Sequence, residues 1–486
     1  MWETVGQTGV VGREVRRLKT RRRLFGTAGA GGALGALGAL AVLAGCRTSA
    51  AGEDAPPAPA VRTARVRFLT RDDAPTRRLV QEQVQAFRLE SPAIQVQVEH
   101  AADWLETFRR LAAAGEGVDA LAHTPEAAGA AVRGGLLQNL EPYLARQRDF
   151  REGDFERGAW HAAQYEGQRW GLPWEGGAYA LVFNSDLFLA AGVPLPDPKK
   201  RMTWDDLLGV ARRLTVDASG RRPADQGFDS GTTQVYGFAA NTSWGLAGFI
   251  MSGGGELLTA DGKVPVDGPE AVEALQLFAD LQARHHVAPD VSAPARFEQG
   301  QVAMVYQGAW CLPRYNGAGI RWGAAPAPMR RVPVSGAHYS PLVMARGGAE
   351  KDAAWAWLWF AALSETGQRL AVDAGQTQPS RRSLEARFVE AETPPAAPYR
   401  QVFADELKGG TLRVAGDRAG SYWGGYKREW ARLWQHLLQP LLRGEQGALP
   451  VAGDLRRNTE LLLRVGRSPV FPASPAELTG PVSGPS

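Results

Sequence analysis

Two patterns of apolar residues alternate from residue 64 onward, and this alternation constrains the fold of the chain most strongly. The stretch ARVRFL over residues 64–69 alternates apolar and polar side chains, as a strand does. Val80, Val84 and Phe87 then recur at helical spacing, and IQVQVEH from Ile94 alternates again. Strand and helix patterns that follow one another predict an α/β fold with mostly parallel sheets. Because 486 residues exceed one ordinary domain, we expect at least two lobes.

Later segments continue both patterns. YALVFN over residues 179–184 predicts a buried strand, and Thr203 predicts the N-cap of a helix. KDAAWAWLWFAAL over residues 351–363 is apolar on every side, which predicts a helix buried between layers. By contrast, the Gly-, Asp- and Arg-rich residues 216–235 predict a long surface loop.

The first 45 residues have the layout of an export signal. Seven Lys and Arg residues lead into an uncharged run over residues 26–45, which is too Gly-rich to be a good permanent membrane span. The run ends in LAGC at residues 43–46, which matches the lipobox of bacterial lipoproteins, so Cys46 is expected to carry a lipid. RRLF at residues 22–25 also resembles the twin-arginine export motif, and both the twin-arginine and the general export route stay open.

The Pro- and Ala-rich residues after the cysteine predict a flexible tether. We therefore expect a signal peptide over residues 1–45, a lipidated cysteine and linker over residues 46–62, and a location on the extracytoplasmic face of the bacterial cell membrane. Seven of the 55 Lys and Arg residues but two of the 51 Asp and Glu residues precede Cys46, so the net charge of +4 belongs to the leader. In the rest of the chain the positive and negative side chains nearly balance, and such a charge does not support nucleic-acid binding.

The sequence carries no motif for a cofactor, a metal ion or a nucleophilic active site. It has no GxxxxGK[ST] phosphate loop, no HExxH, no CxxC and no GxSxG. Cys46 and Cys311 are its two cysteines, so lipidation of Cys46 leaves no intrachain disulfide. We therefore expect no cofactor, no metal and no catalytic residues. A glycosidase with two carboxylates stays open, because its acids need not be close in sequence.

Tryptophan is the residue type that points to a ligand. Four of the 15 tryptophans stand in short segments rich in glycine, proline and small polar residues: Trp174, Trp244, Trp310 and Trp423. Such segments can display flat rings in a cleft, where the rings pack on the apolar faces of sugars while carboxylates and amides bind the hydroxyls. Packing within loops explains these four tryptophans equally well.

Several motifs occur in a fixed order: WGLPWEGGAYALVFNSDLFLAAGVP from Trp170, TWDDLLGVARRLT, MSGGGELLTADGK, FEQGQVAMVYQGAW, KDAAWAWLWFAALSETGQ and GSYWGGYKREWARLW. Together they resemble the family 1 extracellular solute-binding proteins, the sugar receptors of ABC importers, a class that includes maltose-binding protein. The resemblance implies the type II periplasmic-binding-protein fold, with two α/β lobes, a hinge of three crossovers and an interlobe ligand cleft. It places residues 61–177 and 325–363 in lobe one, residues 178–324 and 364–466 in lobe two, and residues 467–486 in an irregular tail.

The resemblance also implies the ligand-binding positions, which follow predicted strands or lie in the aromatic segments: Arg71, Asp72, Asp73, His123, Glu126, Trp174, Glu175, Asn241, Ser243, Trp244, Trp310, Tyr422 and Trp423. Other interpretations stay open for some of them. Asp72 and Asp73 suit a solvated turn, His123 suits a core position, and Glu126 suits the start of a helix. Gly177 stands where maltose-binding relatives carry an acid, which favours a sugar other than maltose.

The expected function is that of a monomeric, lipid-anchored receptor that captures a carbohydrate and presents it to the permease subunits of an ABC transporter, without catalysis. Two other functions are compatible with the same sequence. One is a receptor for a non-sugar solute, such as a glycerophosphodiester, and the other is a secreted carbohydrate-active enzyme. The first would need converging arginines in the cleft, and the second two carboxylates that face each other across the bound sugar. A scaffold or sensor that never transports is a further alternative.

Overall fold

A mixed sheet of eight strands runs through the part of the chain that the structure describes. The computed structural model describes residues 63–465, apart from residues 125–127, 129–130, 162, 166, 243, 260–262, 291–295, 376, 409–412, 415–429 and 431. The expected signal peptide, the lipidated Cys46, the linker and the C-terminal tail therefore lie outside the described residues. No helix in the described ranges has both the length and the apolar character needed to cross a membrane.

The strands, in chain order, are β1 (Ala64–Arg71), β2 (Ile94–Ala101), β3 (Ala120–Ala122), β4 (Gln164–Tyr165), β5 (Gln168–Arg169), β6 (Gly171–Asn184), β7 (Val216–Asp217), β8 (Thr233–Val235), β9 (Met304–Gly308), β10 (Trp322–Ala325), β11 (Gly336–Met344) and β12 (Arg413–Val414). The large sheet has the order β10-β6-β11-β3-β1-β2, with β9 paired to β6 and β12 paired to β11. Two small sheets pair β4 with β5 and β7 with β8.

The helices are α1 (Ala74–Glu90), α2 (Trp104–Ala113), α3 (Glu141–Leu144), α4 (Arg157–His161), α5 (Ser185–Ala190), α6 (Trp204–Leu214), α7 (Trp244–Ser252), α8 (Pro269–Ala283), α9 (Leu312–Gly317), α10 (Lys351–Leu363), α11 (Glu365–Asp373), α12 (Glu385–Val389), α13 (Ala397–Lys408), α14 (Gln439–Leu442) and α15 (Ala448–Val465). Residues 432–437 are also helical. The predicted first strand, first helix and second strand are confirmed as β1, α1 and β2.

The expectation of mostly parallel sheets is wrong for the half of the sheet around β6. β1 runs parallel to β2 and to β3, as expected. However, β6 is antiparallel to β9, β10 and β11, and β11 is antiparallel to β3. The reason lies in two long strands that link two apolar cores: β6 carries the chain from one core to the other, and β11 carries it back.

Those two cores account for most of the buried apolar side chains. The first core joins β1, α1 and α10, and Leu172 and Trp174 at the start of β6 belong to it. The second core joins α6, α7, α8 and α15, and Tyr179, Leu181 and Phe183 later in β6 belong to it. One strand therefore connects both cores, and its middle residues lie where the two meet.

Two local predictions on helices are confirmed. Thr203 caps α6 in a capping box, in which its side chain accepts from the backbone N–H of Asp206 and the Asp206 carboxylate accepts from the backbone N–H of Thr203. Helix α10 is buried as its sequence predicts, with Trp357 fully buried, Trp355 7% exposed, and Trp359 partly buried against the first core.

The prediction of a loop over residues 216–235 needs correction. This segment contains β7 and β8, which pair antiparallel. Its anchor is the buried carboxylate of Asp217, which accepts hydrogen bonds from the backbone N–H groups of Ser219, Arg221 and Asp229. A buried aspartate that collects backbone donors in this way gives order to a segment whose composition indicates only a turn-rich surface.

Candidate functional site

A cavity of about 630 Å³ lies where β6 and β11 pass between the two cores. Its lining comes from the end of β1, the middle of β6 and of β11, the segment after β9 with the start of α9, and the starts of α1 and α7. The lining residues are Arg71, Asp73, Pro75, Glu175, Gly176, Tyr179, Trp244, Trp310, Pro313, Arg314, His338 and Ser340. The cavity thus draws side chains from elements of both cores.

One part of the lining is an ion cluster of Arg71, Asp73 and Glu175. The Arg71 guanidinium donates from Nε to Asp73 Oδ2 at 2.8 Å and from Nη2 to Glu175 Oε2. Asp73 is held in place because it is also the N-cap of α1, where its Oδ1 accepts from the backbone N–H of Thr76 at 2.9 Å. Burial lowers the pKa of Arg71, but the charges of Glu175 and Asp73 outweigh it and raise that pKa above its ordinary value.

Glu175 is the most deeply buried member of this ion cluster, with a side chain that is 4% exposed. Burial raises the pKa of its carboxyl above the ordinary value, and the charge of Arg71 partly opposes that rise. Its Oε1 atom is buried and has no hydrogen-bond partner among the described residues. A buried carboxylate oxygen without a hydrogen-bond donor favours the protonated form, in line with the raised pKa of this carboxyl.

A second part of the lining is an aromatic wall formed by Tyr179, Trp244, Trp310 and His338. The Tyr179 ring meets Trp310 edge to face at 5.0 Å and lies 6.3 Å from Trp244, between ring centroids. His338 lies 5.4 Å from Trp310 and 6.1 Å from Trp244. Trp244 and Trp310 are partly exposed, so their rings are accessible from the cavity. Rings in this arrangement offer apolar faces on which a ligand ring can pack.

The strand that carries Glu175 is fixed by two buried polar side chains that follow α11. The backbone N–H of Gly176 donates to Thr377 Oγ1 at 2.8 Å, and the backbone N–H of Ala178 donates to Gln378 Oε1 at 2.9 Å. The backbone N–H of Gln378 donates in return to the carbonyl oxygen of Gly176 at 2.9 Å. These bonds hold the middle of β6 in place beside the cavity.

Arg314 adds a second cation at the rim of the cavity. Its side chain is 54% exposed, and its Nε lies 3.7 Å from Glu298 Oε1. Its Nη2 donates to the hydroxyl of Tyr315 at 3.2 Å. Both arginine side chains of the lining therefore have carboxylate neighbours.

Five of the predicted ligand-binding residues meet in this cavity: Arg71, Asp73, Glu175, Trp244 and Trp310. Five other predicted residues fall outside the described residues: Cys46, the proposed lipid site, and Glu126, Ser243, Tyr422 and Trp423. The remaining four, Asp72, His123, Trp174 and Asn241, are described but do not line the cavity.

Trp174 is not displayed in a cleft, and the prediction of a ring in a loop is wrong. The residue lies within β6, is 1% exposed, and belongs to the first core. Its ring contacts Phe68 edge to face, and its Nε1 donates to Gln83 Oε1 at 3.3 Å. Side chains alternate between the two faces of a strand, so Trp174 points into the core while Glu175 points into the cavity.

Local bonds keep the other three residues away from the cavity. His123 is 3% exposed, and its Nδ1 lies 2.8 Å from the carbonyl oxygen of Thr124, which agrees with the alternative of a core position. Asp72 accepts from Arg77 Nε at 2.5 Å at the protein surface. Asn241 accepts from the backbone N–H of Gly245 at 3.0 Å at the start of α7.

Several lining residues are not among those predicted from the sequence: Pro75, Gly176, Tyr179, Pro313, Arg314, His338 and Ser340. Tyr179 stands in the motif from Trp170, where the pattern predicts a strand and no role in the site. His338 and Ser340 lie in β11, which the sequence patterns above do not predict as a strand. Recognition of β11 as a partner of β6 would identify them, because His338 pairs with Gly177 and Ser340 with Glu175.

The donor set of the cavity does not resemble a metal centre. Across the ranges that the structure describes, no group of three or more His, Cys, Asp or Glu side chains is placed to hold a metal ion. In the lining, the carboxylates of Asp73 and Glu175 are both engaged by one guanidinium.

Comparison with known proteins places the chain in a family context. The family profile of bacterial extracellular solute-binding proteins matches residues 70–368. The maltotriose-binding protein of Pyrococcus abyssi is 23% identical over 352 residues, which cover 69% of each chain.

Solved structures share the fold at low sequence identity. An ABC substrate-binding protein from Listeria monocytogenes, in complex with cycloalternan, is similar with a TM-score of 0.70 and 20% identity, over 84% of this chain and 100% of that one. The maltose-bound MalE3 protein of T. maritima is similar with a TM-score of 0.65 and 21% identity, over 82% of this chain and 100% of that one. These likenesses establish the type II periplasmic-binding-protein architecture that the sequence motifs imply.

Proposed function

The chain belongs to the family of bacterial extracellular solute-binding proteins, and we therefore propose that it captures a sugar or oligosaccharide in the cavity between its two cores. The proposed role is that of the substrate-binding component of an ABC importer, which delivers the bound sugar to the permease subunits.

The single observation that carries this proposal is the joint presence of an aromatic wall and hydrogen-bonding carboxylates in one cavity of about 630 Å³. Aromatic faces pack on sugar rings, and carboxylates accept hydrogen bonds from hydroxyl groups. The volume is within the range of small-molecule sites in proteins. Relatives support the same ligand class, since one is a maltotriose-binding protein and two solved structures hold cycloalternan and maltose.

A phosphodiester ligand is disfavoured by the charges of the lining. Arg71 is shared by two carboxylates, and Arg314 is more than half exposed and lies near Glu298. Neither arginine is therefore available as an uncompensated partner for a phosphate. A glycosidase is disfavoured by the positions of the lining carboxylates, because Asp73 and Glu175 bind the same guanidinium instead of flanking a bound sugar.

The proposal includes attachment to the extracytoplasmic face of the cell membrane through a lipid on Cys46. The support is the sequence LAGC at the end of the uncharged leader and the extracellular location of the family. Replacing Cys46 by Ser should abolish metabolic labelling with palmitate, and undiminished labelling of that variant would exclude Cys46 as the lipid site.

A thermal-shift screen of the purified protein against a sugar library tests the proposed ligand class. A ligand present at 100 times its dissociation constant should raise the free energy of unfolding by about 2.7 kcal/mol, which is a clear rise in melting temperature. Stabilisation by at least one mono- or oligosaccharide, and none by glycerophosphodiesters, is the expected result. If no sugar stabilises the protein while a phosphodiester does, the alternative receptor function is correct.

A further inference from the structure

The ring of Trp310 lies directly on Gly308, the last residue of β9. A Cβ atom added to Gly308 would lie 2.0 Å from Cζ3, 2.1 Å from Cη2 and 2.5 Å from Cε3 of Trp310, and all three distances are too short for non-bonded carbon atoms. Because three adjacent atoms of one ring are so near, that Cβ would stand over the face of the ring and not beyond its edge. The indole therefore fills the space that a side chain at position 308 would take.

The backbone of Gly308 does not itself require glycine. Its φ of −90° and ψ of 164° are extended values that any L-residue adopts. The residue pairs with Tyr179 in the antiparallel ladder between β6 and β9, as an ordinary strand residue does. The missing side chain consequently matters for the ring of Trp310 and not for the course of the chain.

The other contacts of the Trp310 ring are with side chains that have less freedom to move. The Tyr179 ring, which meets Trp310 edge to face at 5.0 Å, is 1% exposed and stacks on the buried ring of Tyr306 at 5.2 Å. The Trp310 side chain, by contrast, is partly exposed and lines the cavity. A methyl group at position 308 would therefore displace the Trp310 ring and leave Tyr179 in place.

We propose that Gly308 is a positioning residue of the ligand site, which seats the Trp310 ring against β9 and keeps its exposed surface toward the cavity. This inference rests on the proposed function, since it takes the cavity as the sugar site. A ring that is already fixed in place loses little conformational freedom when a sugar packs on it. A displaced ring loses that advantage and no longer lies where the sugar meets it.

A double-mutant cycle at positions 308 and 310 tests the proposal. The probes are maltose, maltotriose and cycloalternan, and the sugar that binds the native protein most tightly is titrated into the variants. Trp310→Ala removes the ring and Gly308→Ala displaces it, so each variant should bind at least about threefold more weakly. In the Trp310→Ala protein, Gly308→Ala should cause no further loss, because the added methyl group has no ring to displace.

Gly317→Ala is the matched control for the cycle. Gly317 is the last residue of α9 and does not line the cavity, and an added Cβ would meet no atom within 4 Å. This variant gains the same methyl group as Gly308→Ala and should keep the native affinity.

A fluorine label reports the position of the ring without any sugar. In protein labelled with 5-fluorotryptophan, the resonance that is missing from Trp310→Ala identifies Trp310. That resonance should shift in Gly308→Ala and stay in place in Gly317→Ala. Gly308→Ala should melt within about 3 °C of the native protein, because a partly exposed ring can turn away without opening the core.

Four results would each overturn the proposal. They are native affinity in Gly308→Ala, a further loss of affinity from Gly308→Ala in the Trp310→Ala protein, an unshifted fluorine resonance, and a Gly308→Ala protein that no longer folds, which would make position 308 a requirement of the fold. Native affinity in Trp310→Ala would instead contradict the cavity as the sugar site. In that case, or if no probe binds, the fluorine resonance still decides whether Gly308 places the ring.

Discussion

Gly176 shows how a single residue fixes the shape of the cavity. It follows Glu175 in β6 and faces Tyr339 in β11. A Cβ atom added to Gly176 would lie 1.9 Å from the carbonyl oxygen of His338, a distance that the two strands cannot accept without moving apart. The neighbouring Gly177 is as restricted, since a Cβ there would lie 2.7 Å from the Cβ of Ala309. An acid at position 177, as in maltose-binding relatives, does not fit this backbone.

Gly176→Ala should therefore destabilise the protein by about 1–3 kcal/mol or more, because overpacking displaces the strands that carry Glu175 and His338. Urea denaturation measures the change. Gly209→Ala is the matched control: Gly209 lies in helix α6, where an added methyl group would meet open space, so this variant should gain up to about 1 kcal/mol from helix propensity. Equal stability of the Gly176→Ala variant and the native protein would show that the strands are not closely packed there.

Asp217 shows how one carboxylate orders a whole segment, the β7 and β8 pair with its connection. Burial raises the pKa of this carboxyl, but hydrogen bonds from the backbone N–H groups of Asp229, Arg221 and Ser219 outweigh burial and lower the pKa to about 2. A carboxyl whose pKa is lowered by folding stabilises the folded state at pH values above its pKa in the unfolded chain, which is about 3.9. This contribution to the free energy of unfolding is lost as the pH falls through the pKa of the folded state.

Asp217→Asn should accordingly be less stable than the native protein at pH 6, because an amide cannot accept all of these bonds. The difference in denaturation midpoint should narrow as the pH falls from about 4 to about 2, where the native carboxyl becomes protonated. Denaturant titrations of the native protein and of Asp217→Asn at several pH values measure this difference in midpoint. A difference that stays constant over this range would mean that the charge of Asp217 does not stabilise the segment.

The strand β6 also shows which parts of the site the sequence predicts. Its apolar second half, from Tyr179, has an unmistakable strand pattern, whereas its first half contains glycine and proline and resembles a loop. Trp174 and Trp310 have similar neighbours, yet one lies in the first core and the other lines the cavity. Residue types around a tryptophan do not decide between these outcomes: Trp174 lies on the core face of β6, whereas Trp310 lies in a short 3-10 helix, residues 309–311, that follows β9.

The whole molecule has two apolar cores joined by β6 and β11, with the cavity at the junction. The division into lobes, residues 61–177 with 325–363 and residues 178–324 with 364–466, stays a prediction from the family resemblance. We expect them to close on the ligand, because Arg71 and Asp73 belong to elements of one core and Trp244 and Trp310 pack on the other. A ligand that contacts both sides stabilises a closed state in proportion to its differential affinity for that state.

Small-angle X-ray scattering tests closure. The radius of gyration of the protein should fall when the sugar found by the thermal-shift screen is added to saturation. A variant with weakened ligand contacts, such as Trp310→Ala, should need a higher sugar concentration for the same change. An unchanged radius of gyration at saturation would contradict closure while leaving sugar binding itself untouched.

If the cavity holds the sugar, loss of its aromatic rings must weaken binding, and isothermal titration of that sugar into three proteins measures this change in affinity. Each aromatic ring contributes about 0.5–1.5 kcal/mol beyond its buried area, and 1.4 kcal/mol is a tenfold change in affinity. The double variant Trp244→Ala, Trp310→Ala should thus bind at least about tenfold more weakly than the native protein, whereas the control Trp359→Ala, which loses a ring packed on the first core, should keep the native affinity. Native affinity in the double variant would show that the sugar binds elsewhere on the protein.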